Sequence, residues 1–295
     1  MTPLVPLSEL ELFAQGLDHA EGICLAPDGL LYVGGESGQL YRVEEDGVVT
    51  EVLRTGGFSL GLAADAESNI YLCDQVHHCV WKINPGTGER RVFSRGNAQT
   101  PMRAPNWGCF DDAGNYYVSD SGGWGAADGV IWKVHLGGRT EIWTDECRDF
   151  PNGMCLSADG STLFVLESVP PALVAIGIEP DGSAGHRRVI AELPGTVPDG
   201  IALTDDGRFV IACYRPDALY LVDQEGRYEV IAADPQGTVL AAPTNVVFAG
   251  SRLDELIVPN FNRWHLARLS VLGLIGLPLR YPAAAPLQQN VQPNQ

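Results

Sequence analysis

Four short motifs put oxygen-bearing side chains beside small or turn-forming residues: Ala20-Glu21-Gly22, Pro105-Asn106, Pro151-Asn152-Gly153 and Pro198-Asp199-Gly200. Two carboxylates facing each other in a confined space repel unless a cation lies between them or a proton is shared. A ligand set made only of oxygens suits one hard divalent ion, Ca²⁺ first, with Mg²⁺, Mn²⁺ or Zn²⁺ as alternatives. An ion not fully enclosed by protein oxygens keeps positions for water and a carbonyl group, which is the equipment for metal-assisted hydrolysis. A single Asp or Asn at a strand start commonly only caps a turn. Four at one register, two of them charged, argue for a ligand, because repulsion disfavours clustering without one.

Residues so far apart in the chain can share one register only through a repeat, and the sequence has one. Glu21 to Gly29 followed by Leu31-Tyr-Val33 recurs as Asn106 to Gly114 with Tyr116-Tyr-Val118. It returns as Asn152 to Gly160 with Leu163-Phe-Val165, and as Asp199 to Gly207 with Phe209-Val-Ile211. Weaker copies begin at Leu60 and Asn245. Positions 21, 60, 106, 152, 199 and 245 are 39, 46, 46, 47 and 46 apart, giving six units. Within a unit the first two apolar runs flank an Asp-Gly or Ala-Gly turn, a strong hairpin signal. A third run follows in most units, for example Val80-Trp-Lys-Ile83, and then a shorter fourth such as Arg91-Val-Phe93. Four antiparallel strands at this period predict an all-β fold, a six-bladed β-propeller. The sixth unit ends after its third strand (265–271), and Leu10-Glu-Leu-Phe13 supplies the missing fourth from the N-terminus. That closes the ring and removes an open sheet edge. Residues 1–280 are expected to form a single domain and 281–295 a loose Pro/Gln/Asn tail.

In such a blade the first strand lines the central channel, so positions 21, 106, 152 and 199 start at one mouth. The second strands return to the same rim near Glu36, Asp74, Asp120, Glu167 and Tyr214.

Composition narrows the partners. The 19 Lys+Arg against 37 Asp+Glu give a formal charge of −18, which offers no cationic footprint for nucleic acid or an anionic membrane surface. The longest apolar stretches, near 271–279, are too short to span a bilayer. Residues 1–12 lack Lys and Arg, unlike a secretory signal or transit peptide. Seven scattered cysteines (24, 73, 79, 109, 147, 155 and 213) do not make a disulfide framework, so a cytoplasmic location is expected. No handle on oligomeric state is present.

The four motifs, in order and at blade spacing, resemble those of the SMP-30/gluconolactonase/LRE family of calcium-dependent lactonases. The likeness runs from about residue 10 to 280 and includes the Gly-Leu-Pro-Leu ending at Leu279. It implies a six-bladed propeller and one catalytic divalent metal, held by residues matching Glu21, Asn152 and Asp199. The position matching Asn106 contacts substrate or completes the metal shell. The family's substrate-binding Arg lies two residues before that Asn; here Ala104 holds the place and Arg103 is displaced by one. Where some members carry an acidic substrate ligand, this chain has Ser119-Asp120-Ser121-Gly-Gly-Trp124, making Asp120 the candidate to orient substrate hydroxyls.

Asp199, next to the reacting water, is the expected proton-handling carboxylate, with Glu21 purely a ligand. The partner expected is a small lactone of sugar type. The alternative of a different class is a non-catalytic propeller, a scaffold or small-ligand sensor whose channel ion only ties blades together. Hydrolysis of another ester, such as a phosphotriester, would use the same metal logic. Three competing motifs carry less. Gly57-Phe-Ser59-Leu-Gly61 has the G-x-S-x-G pattern, but a nucleophile elbow needs a strand running into a helix. Cys73, His77, His78 and Cys79 sit around one strand connection, and adjacent His residues on a strand face opposite ways. His19 is near enough to the rim to act as a base, although a lone His is more often structural. Trp107, Trp124 and Trp264 could shape the mouth or pack between blades.

Overall fold

The computed structural model describes residues 2–271 and 273–283. Every regular element except a three-residue 3₁₀ turn (Leu7–Glu9) is a β-strand, and the strands form six four-stranded antiparallel sheets. Blade 1 is Ile23–Leu25, Leu31–Gly34, Gln39–Val43 and Val49–Arg54. Blade 2 is Ser59–Ala64, Ile70–Asp74, Cys79–Ile83 and Arg90–Ser94. Blade 3 is Pro105–Phe110, Tyr116–Asp120, Val130–Val134 and Thr140–Thr144, and blade 4 is Pro151–Leu156, Thr162–Ser168, Pro171–Ile178 and Ala184–Glu192. Blade 5 is Val197–Leu203, Phe209–Arg215, Ala218–Val222 and Tyr228–Ala233. Blade 6 joins Val247–Ala249, Glu255–Pro259 and His265–Ser270 to the N-terminal strand Glu11–Gln15. The protein is a six-bladed β-propeller.

The hairpin turns form as their residues require. In blade 1, Gly29 takes φ +82° and the Asp28 carboxylate accepts from the Leu30 N–H at 3.0 Å, so the glycine supplies a left-handed residue that a β-branched side chain would resist. The ring closes where Leu12 pairs with Ala267 and Gln15 with His265; Arg268 adds an ion pair to Glu11 at 2.7 Å.

The core lies between blades. Leu60, Tyr71 and Cys73 of blade 2 pack on Phe110, Tyr116, Val118 and Trp132 of blade 3, with Tyr71 and Phe110 edge to face at 4.8 Å. Phe164 and Leu173 of blade 4 meet Phe209 and Ile211 of blade 5 in the same way. Each fully buried large side chain contributes about 1.5–3 kcal/mol, so blade faces, not blade hydrogen bonds, hold the ring.

Around the channel the inner strands nearly touch. A Cβ on Gly22 would overlap the Leu60 carbonyl oxygen, and one on Gly200 would stand 2.5 Å from the Asn245 Cα. Gly61 faces the Asn106 carbonyl oxygen and Gly153 that of Asp199 in the same manner. These glycines sit one residue after the register positions, so they narrow the channel where the four oxygen-bearing residues stand. Gly200→Ala is expected to cost about 3 kcal/mol, read as the shift in denaturant midpoint at unchanged m-value.

The far mouth is crossed by the segment after the last blade. Leu277 N–H donates to Leu203 O, Arg280 reaches Ser157 O and Ala158 O, and Tyr281 Oη donates to Leu25 O at 2.9 Å. Of the tail expected over 281–295, Tyr281 and Pro282 are bonded to the ring, Pro282 O accepting from the Ala66 N–H, and 284–295 lie outside the described residues. All seven cysteines are free thiols. Among the described residues no helix is long and apolar enough to cross a membrane.

Candidate functional site

The pairing of inner with second strand is interrupted at one level in four blades. The ladder shifts between Ser59 and Leu62, Pro105 and Trp107, Pro151 and Met154, and Pro198 and Ile201. A bulge adds a residue to one strand and re-aims its side chain. Here the interruptions flank Asn106, Asn152 and Asp199. In blade 1 the Glu21 N–H donates to Gly34 O at 3.0 Å just before the regular strand begins. Glu21, Asn106, Asn152 and Asp199 all line one cavity of ≈ 330 Å³ at this mouth, and each is buried, between 5% and 8% exposed.

Hydroxyl groups from neighbouring blades clasp the backbone beside these residues. Ser121 Oγ donates to Pro151 O at 2.8 Å and accepts from Asn106 Nδ2 at 3.0 Å. Ser168 Oγ donates to Pro198 O at 2.8 Å, and Thr244 Oγ1 to Glu21 O at 2.9 Å. Sequence reasoning missed these three. A signal existed for two: Ser121 and Ser168 each follow directly on an acid at the C-terminal end of a second strand.

The electrostatics are unusual for a folded interior. Burial pushes the Glu21 carboxyl well above the ordinary range, and the Asp199 charge pushes it further. Burial likewise raises Asp199, only partly offset by a hydrogen bond from the Asn152 side chain. No cationic group is among those acting on either carboxyl. Asn152 Oδ1 is buried and has no hydrogen-bond partner. Buried polar atoms are nearly always paired, and this orphan acceptor beside two uncompensated carboxyls forms a donor set that a cation could complete. The donor set of two carboxylates and an amide oxygen fits a hard divalent ion.

The other expected site residues stand apart from this cavity. Asp120 is 1% exposed and is turned into blade 3, where its oxygens accept from the Arg103 and Ala104 N–H groups, both at 2.8 Å, and from Trp132 Nε1 at 3.1 Å. Asp74 in blade 2 accepts from Phe58 N–H, His77 and Trp81 Nε1 in a matching arrangement, and Glu167 in blade 4 pairs with Arg187. Arg103 is half exposed and forms an ion pair with Asp128 at 2.6 Å. Asp120→Ala is expected to destabilise the fold by about 2 kcal/mol, since it strands two buried N–H donors, whereas Arg103→Ala leaves the thermal midpoint unchanged. Thermal melts of the two variants check this.

The competing motifs are placed as follows. Ser59 is fully buried on an inner strand, with no helix after it. His77 Nδ1 lies 2.8 Å from Asp74 Oδ2, and His78 contacts Arg103 O. His19 Nδ1 lies between Asp18 Oδ1 at 3.0 Å and Glu36 Oε2 at 3.2 Å. Trp107 packs in the core between blades 3 and 4, Trp124 lines the cavity, and Trp264 is exposed against His19.

Oxygen-bearing side chains from four blades thus meet at one mouth of the ring. The chain matches the SMP-30/Gluconolactonase/LRE-like region over residues 9–260 and belongs to that family. Lactonase-type function is thereby supported at the level of the family. Among solved structures it is similar in fold to a gluconolactonase from Xanthomonas campestris (TM-score 0.77, 19% identity, 89% of each chain covered). It is also similar to the calcium-binding protein regucalcin of Agrobacterium tumefaciens (TM-score 0.76, 18% identity, 97% of this chain and 100% of that one). Arabidopsis thaliana Strictosidine synthase-like 1 is 30% identical over 172 residues, 54% of this chain and 43% of that protein. The chain spans less than half the length of the curated relatives it matches.

Proposed function

We propose that this protein hydrolyses a lactone, using one divalent cation held by Glu21, Asn152 and Asp199, with Ca²⁺ the preferred ion. One observation carries the reading: two buried carboxyls without a cationic partner flank an amide oxygen without a donor. A divalent ion bound there would polarise the substrate carbonyl and make water a better nucleophile near neutral pH.

The residues divide the remaining work. Asp199 accepts a proton from the attacking water through a carboxylate oxygen. The water oxygen bonds to the acyl carbon, the ring C–O bond breaks, and the proton passes on to the departing ring oxygen. The product is a hydroxy acid, whose carboxyl proton is lost to solvent. Glu21 supplies charge and takes no proton. Asn106 lines the cavity with its amide nitrogen held by Ser121, which leaves its carbonyl oxygen to serve the substrate. Leu60 and Val197 line the cavity and limit the water that reaches the reacting carbon. Asp120 positions the backbone before Asn106 by accepting from the Arg103 and Ala104 N–H groups, and the Arg103 side chain is held by Asp128 outside the cavity lining.

The test is hydrolysis of a lactone panel, followed by pH-stat, before and after chelation and with calcium restored. Activity that disappears with chelator and returns with calcium supports the proposal. Tight metal binding with no lactone or ester turned over overturns it in favour of a scaffold or sensor.

A further inference from the structure

Above the ligand level the cavity wall is aromatic. Phe58, Trp124, Phe150, Tyr214 and Phe261 all line it, four from the loops of blades 2, 3, 4 and 6 and Tyr214 from the end of the second strand of blade 5. They form two groups. The Phe261 ring lies 5.9 Å from Phe58 and 6.3 Å from Tyr214, and Trp124 lies 4.9 Å from Phe150. Trp124 is 60% exposed, a large apolar surface left open at the mouth. Phe150 holds φ +58°, a conformation bulky side chains avoid, and it stands two residues before Asn152. Such strain persists where surrounding structure enforces it, and it concentrates at functional sites.

The polar groups of the same wall are largely spoken for. Thr244 is bonded to Glu21 O, and Arg215 is paired with Asp217 and stacked 4.9 Å from the Tyr214 ring. Asp74, Asp120 and Glu167, at or one residue before the ends of the second strands of blades 2 to 4, are turned into their blades and hydrogen-bonded there. Gln75 and the Tyr214 hydroxyl, with Asn106 below them, are the neutral polar groups left facing the cavity. A polyhydroxylated lactone would have to shed water from several hydroxyls with fewer polar groups than hydroxyls to receive them. An aryl group would instead pack edge to face or offset against these rings.

We propose that the substrate is an aryl-bearing, uncharged lactone, and that Phe58, Trp124, Phe150, Tyr214 and Phe261 are the residues that select it over a sugar lactone. The proposal rests on the lactonase reading above and names the substrate class of that same site.

The experiment compares kcat/KM of the calcium-loaded protein for 3,4-dihydrocoumarin, δ-valerolactone and D-glucono-1,5-lactone. Dihydrocoumarin is expected to exceed gluconolactone by about 100-fold. Phe261→Ala and Trp124→Ala are each expected to lower the dihydrocoumarin-to-valerolactone ratio about 10-fold, which a general loss of fold or metal would not do. A preference for gluconolactone, or an unchanged ratio in both variants, overturns the aryl proposal and leaves the lactonase reading standing. If all three lactones are inert, the lactonase reading fails and calorimetry decides the aryl proposal. Tighter binding of 3-(2-hydroxyphenyl)propanoate than of gluconate, with a negative heat-capacity change, supports an aryl pocket. Tighter binding of gluconate, or of neither acid, overturns it.

Discussion

Asp199→Asn is expected to lower kcat for lactone hydrolysis by about 10³-fold at saturating calcium, with the thermal midpoint of the folded protein no lower than that of the parent. The substitution keeps the shape of the side chain and one oxygen for the ion, but its amide cannot take a proton. Asn152→Ala differs in kind. It deletes the buried oxygen that lacks a donor, so it is expected to raise the calcium concentration giving half-maximal activity by tenfold or more, with part of kcat recovered in excess ion. Steady-state kinetics across a calcium series separates the two. Retention of kcat within tenfold in Asp199→Asn would remove Asp199 from the proton-handling role.

The second large effect is on stability without metal. Both Glu21 and Asp199 have folded-state pKa values raised above their ordinary values of 4.5 and 3.8, Asp199 to about 8. A carboxyl raised on folding binds its proton more tightly in the native state than in the unfolded chain. Its contribution is therefore complete below about pH 4 and is lost as pH rises toward the folded value. Chelated protein should lose stability steadily from pH 5 to pH 8, and Asp199→Asn should flatten that slope and be more stable at pH 8 by on the order of 2 kcal/mol. Calcium binds the ionised pair and displaces its protons, so the increment in thermal midpoint from calcium should be larger at pH 8 than at pH 5. Thermal melts at four pH values, with chelator and with calcium, measure both slopes. Chelated parent protein and Asp199→Asn running parallel across the window would show that the carboxyl does not carry a raised pKa.

Much of the ring was readable because its signals are local. The hairpin between Glu21 and Val33 and its copies depend on turn glycines and apolar alternation within a dozen residues, and the missing fourth strand of the last unit pointed to Leu10-Glu-Leu-Phe13. The closing strand is observed at Glu11–Gln15. The shared register of Glu21, Asn106, Asn152 and Asp199 could be counted along the chain, and the structure gathers all four around one cavity. The direction of Asp120 could not be counted. Whether a carboxylate at a strand end faces the channel or its own blade depends on Trp132 one strand over and on the backbone at 103–104, and only assembled neighbours settle it. Ser59, by contrast, was legible: the sequence set its nucleophile pattern aside for want of a following helix, and it is a buried residue of an inner strand.

What the amino-acid sequence alone determined was the number of blades, the closure by the N-terminal strand and the level at which four oxygen-bearing side chains stand, since each follows from spacing and turn chemistry along a contiguous stretch. Tertiary structure decided the rest: the ladder interruptions that aim those side chains, the glycine contacts that narrow the channel, the inward turn of the second-strand acids and the aromatic wall. Those features are set by the packing of blades whose contacting residues lie tens to hundreds of positions apart, and no local pattern encodes the direction in which a side chain will finally point.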